Sequence, residues 1–358
     1  MKTHRHLWEQ FIAPENFELA ARRAVRGKKS KEQIRRFMAN RDVLLARLRD
    51  MIINNKFKTS KYRIIKIHEP KERYIYVLPL YPDHIVHHAL INILGPIWQR
   101  MFVNDSFACI PGRGLHAASR RVMQFMRANK YVLQCDIRKF YPSIGHARMM
   151  SIVSRKIRDK KILRILSEII WSVGGDKNIP IGNLTSQWLG NVYLHELDMF
   201  VKHTLRWHAY IRYCDDFCLF GNSPSALRLL AIKLKVFLED NLGLFFSKCV
   251  VRRTEYGLDY IGYRHFKHFI LLRKRSAYKI RRRIINIAVH NDWSEHACGQ
   301  LAAAHGWLKW ASSYNYRKSL IGHIQALNCS SDILKYISKS IANSPDKNIY
   351  KLHIYMFN

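Results

Sequence analysis

Apolar residues change spacing several times along the chain, and each change predicts a new element of secondary structure. Residues 5 to 56 carry apolar positions at helical spacing among many Lys and Arg residues and predict helices. Residues 62 to 80 predict a β-hairpin whose turn is the polar stretch HEPKER. Helical spacing returns over 83–102 and again over 116–129.

The second part of the chain mixes short strands with helices. The predicted elements are, in order, the strand YVLQCDI, a basic helical region over 146–171, a long helix within IPIGNLTSQWLGNVYLHELD, the strand hairpin IRYCDDFCLF, a helix over 223–242, strands in LFFSKCVVRR and LDYIGYRHF, and helices from Lys274 onward. Helices alternating with short antiparallel hairpins predict an α+β fold.

Two adjacent acids, Asp215 and Asp216, interrupt the apolar hairpin IRYCDDFCLF. Neighbouring carboxylates repel each other and resist desolvation unless positive charge lies beside them. A third acid, Asp136, lies near the end of the strand YVLQCDI and, like the pair, is followed by aromatic residues. Phosphoryl transfer from a nucleotide uses two Mg²⁺ ions about 4 Å apart, held by carboxylates from different elements. The three acids are therefore candidate metal ligands, and the alternative is that they are chance surface acids.

The charge of the chain indicates a polyanionic partner. Its 61 Lys and Arg residues exceed its 26 Asp and Glu residues by 35, far more than solubility needs. A membrane surface is the competing polyanion, but no stretch approaches about 18 uninterrupted apolar residues, and the start MKTHRHLWEQ lacks a signal-peptide core. We therefore expect a cytoplasmic protein that binds nucleic acid and no membrane. The seven scattered cysteines predict reduced thiols rather than disulfides or zinc ligands.

The order of the motifs resembles the reverse transcriptase family over nearly the whole chain. The matching stretches are EPKERYIYVLP with DHIVHHAL (fingers), FACIPGRGLHAA (second block), QCDIRKFYPSI (motif A), IPIGNLTSQWLGNVYLHELD (motif B), YCDD (motif C), LGLFFSKC (motif D) and LDYIGY (motif E region). This resemblance implies a right-hand α+β polymerase that makes cDNA from an RNA template and dNTPs, with two Mg²⁺ ions or with Mn²⁺ in their place.

The same resemblance implies a division into subdomains. They are a basic helical segment over 1–56, fingers over 57–130, a palm over 131–265, a helical thumb over 266–330 and a basic tail over 331–358. The helical region 146–180 belongs either to the palm or to the fingers.

The resemblance also assigns roles to residues around the acids. The metal ligands it implies are Asp136, Asp215, Asp216 and the backbone carbonyl of Ile137. Tyr141 is the steric gate that excludes a ribonucleotide 2′-hydroxyl, with Phe140 as the alternative gate and core packing as the alternative role of either ring.

Further residues are implied to contact the incoming nucleotide. Arg73, with Lys71, would bind its triphosphate, since planar bidentate donors suit phosphate oxygens, and the alternative is a solvated charge in a turn. Ile181 and Gly182 occupy the place where other members carry Gln and Gly against the nascent base pair. The form Gly-X-X-X-Ser-Gln, ending at Gln187, resembles the enzymes of diversity-generating retroelements and implies error-prone copying of adenines.

Basic residues outside the palm hairpin complete the implied site. Lys248 would protonate the departing pyrophosphate, and a solvated lysine is its alternative. A basic run in the implied thumb, followed by Trp307 and Trp310, suits phosphate contacts to an A-form template–primer duplex, and the alternative is a solvated face. This run is Arg273, Lys274, Arg275, Lys279, Arg281, Arg282 and Arg283.

Three biological roles remain open from the sequence. The first is the mutator polymerase of a diversity-generating retroelement, encoded by a bacterium or phage. The second is an antiphage defence reverse transcriptase acting with a noncoding RNA. The third is an inactive RNA-binding scaffold, which the intact acids disfavour. The expected partners are template RNA, cDNA product, and either a small basic helical accessory protein or another reverse transcriptase subunit.

Overall fold

The computed structural model describes residues 3–28, 32–68, 72–292 and 294–326. The chain forms two compact units. The first comprises Met1–Gly114, Leu133–Leu219 and Pro224–Val251, and the second comprises Leu115–Val132, Phe220–Ser223 and the chain from Arg252 onward. This division differs from the implied subdomain boundaries, because a helix at 115–128 and the strands after 257 pack with the C-terminal helices. The implied basic tail over 331–358 lies outside the described residues.

Four helices open the first unit and match the helical spacing over 5–56. They are α1 (Trp8–Ile12), α2 (Pro14–Val25), α3 (Glu32–Ala39) and α4 (Arg41–Ile53). Pro14 stands at the first position of α2, where a missing backbone N–H costs no hydrogen bond. The apolar positions Phe11, Phe17 and Leu48 are fully buried, while most of the described Lys and Arg residues between them are exposed.

The expected first hairpin is present. Strands β1 (Arg63–Ile67) and β2 (Arg73–Val77) pair antiparallel, with Arg63 opposite Val77 and Ile67 opposite Arg73. All of β1 is exposed, as is the start of β2. Helix α5 (Ile85–Met101) follows and packs on α2.

A four-stranded sheet in the order β4-β5-β3-β6 supports the candidate site. Its strands are β3 (Tyr131–Ile137), β4 (Tyr210–Tyr213), β5 (Asp216–Gly221) and β6 (Phe246–Arg253). The helices of this region are α7 (Phe140–Ser143), α8 (His146–Lys156), α9 (Lys160–Ile170), α10 (Leu184–Met199) and α11 (Pro224–Phe237). Most of α10 is buried, and it packs against α5 and α8. The short helix α7 has no counterpart in the sequence prediction.

The second unit joins one helix to a small sheet and a helical group. Its elements are α6 (Leu115–Ala128), the antiparallel strands β7 (Leu258–Tyr260), β8 (Tyr263–His265) and β9 (Ile270–Leu272), and helices α12 (Lys274–Val289), α13 (Glu295–Trp310) and α14 (Tyr314–Ala326). Gly262 turns the chain between β7 and β8 with φ 89°, and a Cβ there would lie 2.5 Å from the Trp307 ring, so only glycine fits. The sequence pattern predicted neither this turn nor β9.

The described helices include none that is both long and apolar enough to cross a membrane. The elements as a whole confirm the expected α+β class, since every strand pairing whose register is known is antiparallel and helices separate the sheets.

Candidate active site

The adjacent acids lie on a tight β-hairpin. Tyr213, the last residue of β4, pairs with Asp216, the first residue of β5, which leaves Cys214 and Asp215 as the two-residue turn. Cys214 has φ 55°, as a two-residue hairpin turn requires at its first central position. Asp215 and Asp216 are half-buried. The turn therefore presents two consecutive carboxyl groups at one end of the sheet.

Asp136 lies on the strand next to this hairpin. It is the penultimate residue of β3, which neighbours β5 in the sheet, and it is half-buried. The Ser247 hydroxyl donates to its carboxylate and also lies 3.3 Å from its backbone carbonyl. Ile137 ends the strand and is buried. The sheet thus places the predicted metal ligands at the ends of adjacent strands.

The donor chemistry of these acids fits a magnesium ion, which prefers oxygen ligands. Among the described residues, no group of three or more His, Cys, Asp or Glu side chains is gathered closely enough to hold a metal ion. Mg²⁺ is usually held by one or two carboxylates together with substrate phosphates and water, rather than by a cage of protein groups. The arrangement is consistent with a metal site that is completed by the nucleotide.

Tyr141 lies beside the hairpin turn. Lys139, with φ 43°, turns the chain after β3 into the short helix α7, which carries Phe140 and Tyr141. Burial raises the pKa of Tyr141, and the charge of the turn that carries Asp215 raises it further. Phe140 is almost wholly buried in the core, whereas Tyr141 is half-buried. The Tyr141 ring is the one that borders the turn.

Helix α10 approaches these two rings through a glycine. A Cβ on Gly190 would lie 3.2 Å from a ring carbon of Phe140, and 3.2 Å from both a ring carbon and the hydroxyl oxygen of Tyr141. Such contacts are tighter than ordinary packing, so any larger residue at 190 must push the rings aside. Sequence reasoning missed this residue.

A buried ion pair lies beneath the hairpin, and sequence reasoning missed it as well. Arg212 on β4 and Asp198 on α10 are both wholly inaccessible to solvent. Arg212 donates from Nε and Nη2 to the two carboxylate oxygens of Asp198, at 2.7 and 2.6 Å. Its Nη1 donates to Asn191 Oδ1 at 3.0 Å and to the Cys214 carbonyl at 3.1 Å. The Tyr210 hydroxyl completes the group by donating to Asp198 Oδ1 at 2.6 Å.

This network connects the core to the acidic turn. Burial alone would lower the pKa of Arg212, but the charge and hydrogen bonds of Asp198 outweigh it and raise the pKa above its ordinary value. The guanidinium therefore stays charged, and its bond to the Cys214 carbonyl fixes the peptide that precedes Asp215. An arginine inside the otherwise apolar strand YIRY, and acids within the largely apolar stretch VYLHELDMF, were the available sequence signals.

The segment before α10 rests on the first hairpin. The Tyr76 N–H donates to the Ile181 carbonyl at 2.7 Å. Gly182 has φ 126°, and a Cβ there would lie 2.5 Å from the Tyr76 carbonyl oxygen, so no other residue fits. Ile181 is half-buried, while Gly182 and, one turn into α10, Gln187 are exposed. The structure brings Ile181 and Gly182 against β2 and leaves Gln187 on the helix surface.

The basic residues that were predicted to contact the nucleotide differ in exposure and in hydrogen bonding. Arg73 begins β2 and is exposed, and Lys71 lies outside the described residues. Lys248 on β6 is half-buried, and its Nζ donates to Gln134 Oε1 on β3 at 2.7 Å. Its amino group is therefore held on the strand that carries Asp136.

Four thiols lie next to the candidate ligands. Cys135, which precedes Asp136, has its Sγ 3.7 Å from Cys249 Sγ on β6. Cys214, which precedes Asp215, hydrogen bonds to Cys109, and this bond lowers the pKa of Cys109 to about 7. All four are free thiols.

The predicted basic run belongs to α12 in the second unit. Arg273 forms an ion pair with Asp259, so its charge is already partly compensated. Of the others, Lys279 and Arg281 are half-buried, and the exposed ones are Lys274, Arg275, Arg282 and Arg283. Tyr278, 67% exposed, falls at helical spacing between Arg275 and Arg282. This face of α12 combines cations with an exposed aromatic ring that sequence reasoning did not select.

The two tryptophans predicted to accompany this run pack inside the second unit. The Trp310 indole N–H donates to Ser119 Oγ at 3.0 Å, and its ring stacks on His116 at 4.2 Å between centroids. Trp307 packs against Tyr263 and fills the space above Gly262. Both rings serve the packing of this unit.

Comparison with known proteins finds several relatives that share part of their sequence with this chain. Protein YkfC of Escherichia coli is 25% identical over 248 residues, which cover 56% of this chain and 64% of that protein. The group II intron-encoded protein LtrA of Lactococcus lactis is 26% identical over 132 residues, covering 35% of this chain and 22% of LtrA. Nuclear intron maturase 1 of Arabidopsis thaliana is 22% identical over 132 residues, covering 34% of this chain and 18% of that protein. The match thus spans less than two thirds of each relative.

Among solved structures, telomerase from Candida albicans with a fragment of telomeric RNA covers 81% of this chain and 62% of its own, at 10% identity and a TM-score of 0.45. The family model described as reverse transcriptase (RNA-dependent DNA polymerase) matches residues 46–265, which include β1 to β8 and all three candidate acids. That match confirms the family expected from the motifs and, with it, the right-hand polymerase fold. The chain belongs to the reverse transcriptase family.

Proposed function

We propose that this protein is an RNA-directed DNA polymerase that extends a primer along a dedicated RNA template. The observation that carries the proposal is the placement of Asp136, Asp215 and Asp216 at the ends of neighbouring strands, with Tyr141 beside their turn. Oxygen ligands from separate elements can hold the two metal ions that nucleotide transfer to a primer hydroxyl uses, and an aromatic ring beside them can select the sugar.

In this proposal the acids, with the Ile137 carbonyl, hold two Mg²⁺ ions or Mn²⁺ in their place. Bound there, the ions would supply activation of the primer 3′-hydroxyl and charge neutralisation at the leaving pyrophosphate. The Ser247 hydroxyl and the peptide held by Arg212 orient two of the acids before any ligand arrives. Preorganised groups of this kind need no rearrangement during the reaction.

Other residues position and discriminate the nucleotide. Arg73 binds the triphosphate from its exposed place at the start of β2. The Tyr141 ring excludes a 2′-hydroxyl by overlap. Lys248 leaves its bond to Gln134 and donates a proton to the departing pyrophosphate.

The exposed cations of α12 supply phosphate contacts to the template–primer duplex, in keeping with the excess of 35 positive charges on the chain. Tyr278 adds an aromatic surface among them. The partners in this proposal are template RNA, cDNA and dNTPs, with a small helical accessory protein or a second polymerase subunit as a further component.

Substitution of one acid tests the polymerase assignment. Asp215→Asn should abolish nucleotide incorporation and leave RNA affinity within about threefold, because the acids serve the chemistry and the basic surface serves binding. Primer extension and filter binding on purified protein measure the two quantities. Lys233→Asn, on the exposed side of α11, is the matched control and should change neither. Synthesis retained by Asp215→Asn would refute the metal-ligand assignment and favour an RNA-binding scaffold.

We propose further that copying is error-prone, as in a diversity-generating retroelement. Ile181, held by its carbonyl against β2, presents an apolar side chain where a hydrogen-bonding partner would otherwise check the nascent pair. Discrimination by shape alone supplies only about 1–3 kcal/mol between near-isosteric alternatives. An antiphage defence polymerase is the alternative, and the likeness to a group II intron-encoded protein and to an intron maturase favours a third role, copying of an intron RNA.

Sequencing of cDNA separates these roles. The parent should misincorporate most often opposite template adenines, and Ile181→Gln should lower that error rate even where total synthesis falls. Ile181→Val, which keeps an apolar side chain, is the control and should copy like the parent. A low error rate spread evenly over the four bases would end the mutator proposal and leave the defence and intron roles.

A further inference from the structure

The palm sheet carries a pair of thiols next to one of its acids. Cys135 on β3 and Cys249 on β6 have their sulfur atoms 3.7 Å apart, and Asp136 follows Cys135 directly in the strand. Cys135 is fully buried, whereas Cys249 is half-buried. A buried thiol beside a more accessible one is an arrangement in which one sulfur can react with a small oxidant and the other can resolve the product.

The strand geometry makes these residues cross-strand neighbours. At one end of the ladder the Thr254 N–H donates to the Lys130 carbonyl at 2.9 Å, and at the other the Arg138 N–H donates to the Phe245 carbonyl at 2.7 Å. Residue numbers therefore rise along β3 as they fall along β6, and the two strands are antiparallel. The middle of β3, with its cysteine, lies opposite the middle of β6. Directly opposed residues in antiparallel strands have Cα atoms about 4.5–5.5 Å apart, a separation that a disulfide spans.

We propose that Cys135 and Cys249 form a site of reversible oxidation, at which hydrogen peroxide produces a disulfide that stops polymerisation. The Cys249 sulfur attacks one peroxide oxygen, breaking the O–O bond, giving a sulfenic acid and releasing one water. The Cys135 sulfur then attacks the sulfenic sulfur, forming the S–S bond and releasing the hydroxyl, with the thiol proton, as a second water. Two thiols and one peroxide become one disulfide and two waters, so sulfur is oxidised and peroxide oxygen is reduced.

The expected loss of activity follows from distances, and this step rests on the proposed polymerase function. A disulfide bond is about 2.05 Å long, so the sulfurs must approach by about 1.7 Å from their present separation. That approach displaces Cys135 and Cys249, which are the neighbours in sequence of Asp136, a candidate ligand, and of Lys248, the candidate proton donor. A displacement of about 1 Å at a reacting centre can cost about 100-fold in rate.

Peptide mapping and primer extension on the purified full chain test the proposal. After treatment with hydrogen peroxide and blocking of remaining thiols, non-reducing mass spectrometry should find the Cys135 and Cys249 peptides joined. Primer extension should fall at least about tenfold and recover after a thiol reductant. Cys249→Ser should keep its activity in peroxide, and Cys298→Ser, at an exposed thiol in the second unit, should remain as sensitive as the parent.

Several outcomes would overturn the inference. Peroxide sensitivity that persists in Cys249→Ser, or a disulfide that joins Cys109 to Cys214, would move the site to the hairpin thiols. Oxidation of Cys249 to a sulfinic acid with no crosslink would remove the resolving role of Cys135. The mapping needs no enzyme activity, so a chain that forms the crosslink but makes no cDNA would refute the polymerase proposal and leave the oxidation site standing.

Discussion

Two antiparallel hairpins of the first unit carry residues assigned to the reaction, and they are built in opposite ways. The β4–β5 hairpin, with Asp215 and Asp216, lies in a four-stranded sheet, and all but the residues around its turn are buried. The β1–β2 hairpin, with Arg73, forms a two-stranded sheet whose first strand is wholly exposed. Two-stranded hairpins are marginally stable alone, whereas a sheet of four strands with packed faces is not.

The two hairpins differ in how firmly the rest of the unit holds their functional side chains in place. The acidic turn is fixed from below by Arg212, whose charge is desolvated and hydrogen bonded to Asp198, Asn191 and the Cys214 carbonyl. The β1–β2 hairpin contacts the rest of the unit through β2, where the Tyr76 N–H donates to the Ile181 carbonyl and Gly182 lies against the Tyr76 carbonyl. The proposed metal ligands, which must hold a fixed geometry, lie in the first environment. Arg73, which is proposed to bind the triphosphate, lies in the second.

The largest effect is expected from breaking the ion pair beneath the acidic turn. Arg212→Met leaves the Asp198 carboxylate buried without its partner, which should lower the free energy of unfolding by about 3–5 kcal/mol and abolish most primer extension. In Arg212→Met with Asp198→Leu, apolar side chains replace both charges, so stability should largely return. Activity should stay low, because no donor reaches the Cys214 carbonyl. Urea unfolding and primer extension measure the two properties.

A surface ion pair is the control for this comparison. Arg155 and Glu196 lie 2.8 Å apart with half and about a quarter of their side chains exposed, and Arg155→Met should cost less than about 1 kcal/mol. If the double variant regains activity together with stability, Arg212 holds only the core and does not position the turn.

The next largest effect, on the choice between ribonucleotides and deoxynucleotides, is expected at Tyr141 beside the turn. Tyr141→Ala should improve the use of ribonucleotides relative to deoxynucleotides by about 10- to 200-fold, the range that one steric contact supplies. Gly190→Ala should change the same ratio by displacing the Tyr141 ring, and it should have no further effect when Tyr141 is already Ala. Single-nucleotide kinetics give the ratios. Gly306→Ala, in a helix with open space around the glycine, is the matched control and should be silent. An unchanged ratio in Tyr141→Ala would move the gate to Phe140.

The elements around the acids could be predicted from the sequence, but the supports of the site could not. Short apolar runs and helical spacing located β3, the β4–β5 hairpin and α10, because most side chains of these elements must be buried. The partner of Arg212 lies 14 residues away in another element. No local pattern specifies that pairing, although a charge inside an apolar strand indicates that a partner exists. Gly190 was missed for a similar reason, since the rings that require it lie on α7, a helix of four residues with too few positions to show a period.

The smallest effect on folding, and the clearest test of the contrast, is expected at Arg73. The side chain is exposed at the start of a strand, so Arg73→Ala should change the free energy of unfolding by less than about 0.5 kcal/mol. If its guanidinium grips the triphosphate, loss of a charged hydrogen bond worth about 1.5–3 kcal/mol should raise KM for dNTP about tenfold or more. Arg73→Lys should recover only part of the lost dNTP binding, because an ammonium cannot make the bidentate contact.

The control is Arg63→Ala, which is matched in residue type, exposure and strand pairing at the opposite end of the same ladder and should leave KM unchanged. Equal effects at 63 and 73 would mean that the hairpin attracts the nucleotide by its overall charge, and the bidentate role of Arg73 would fail.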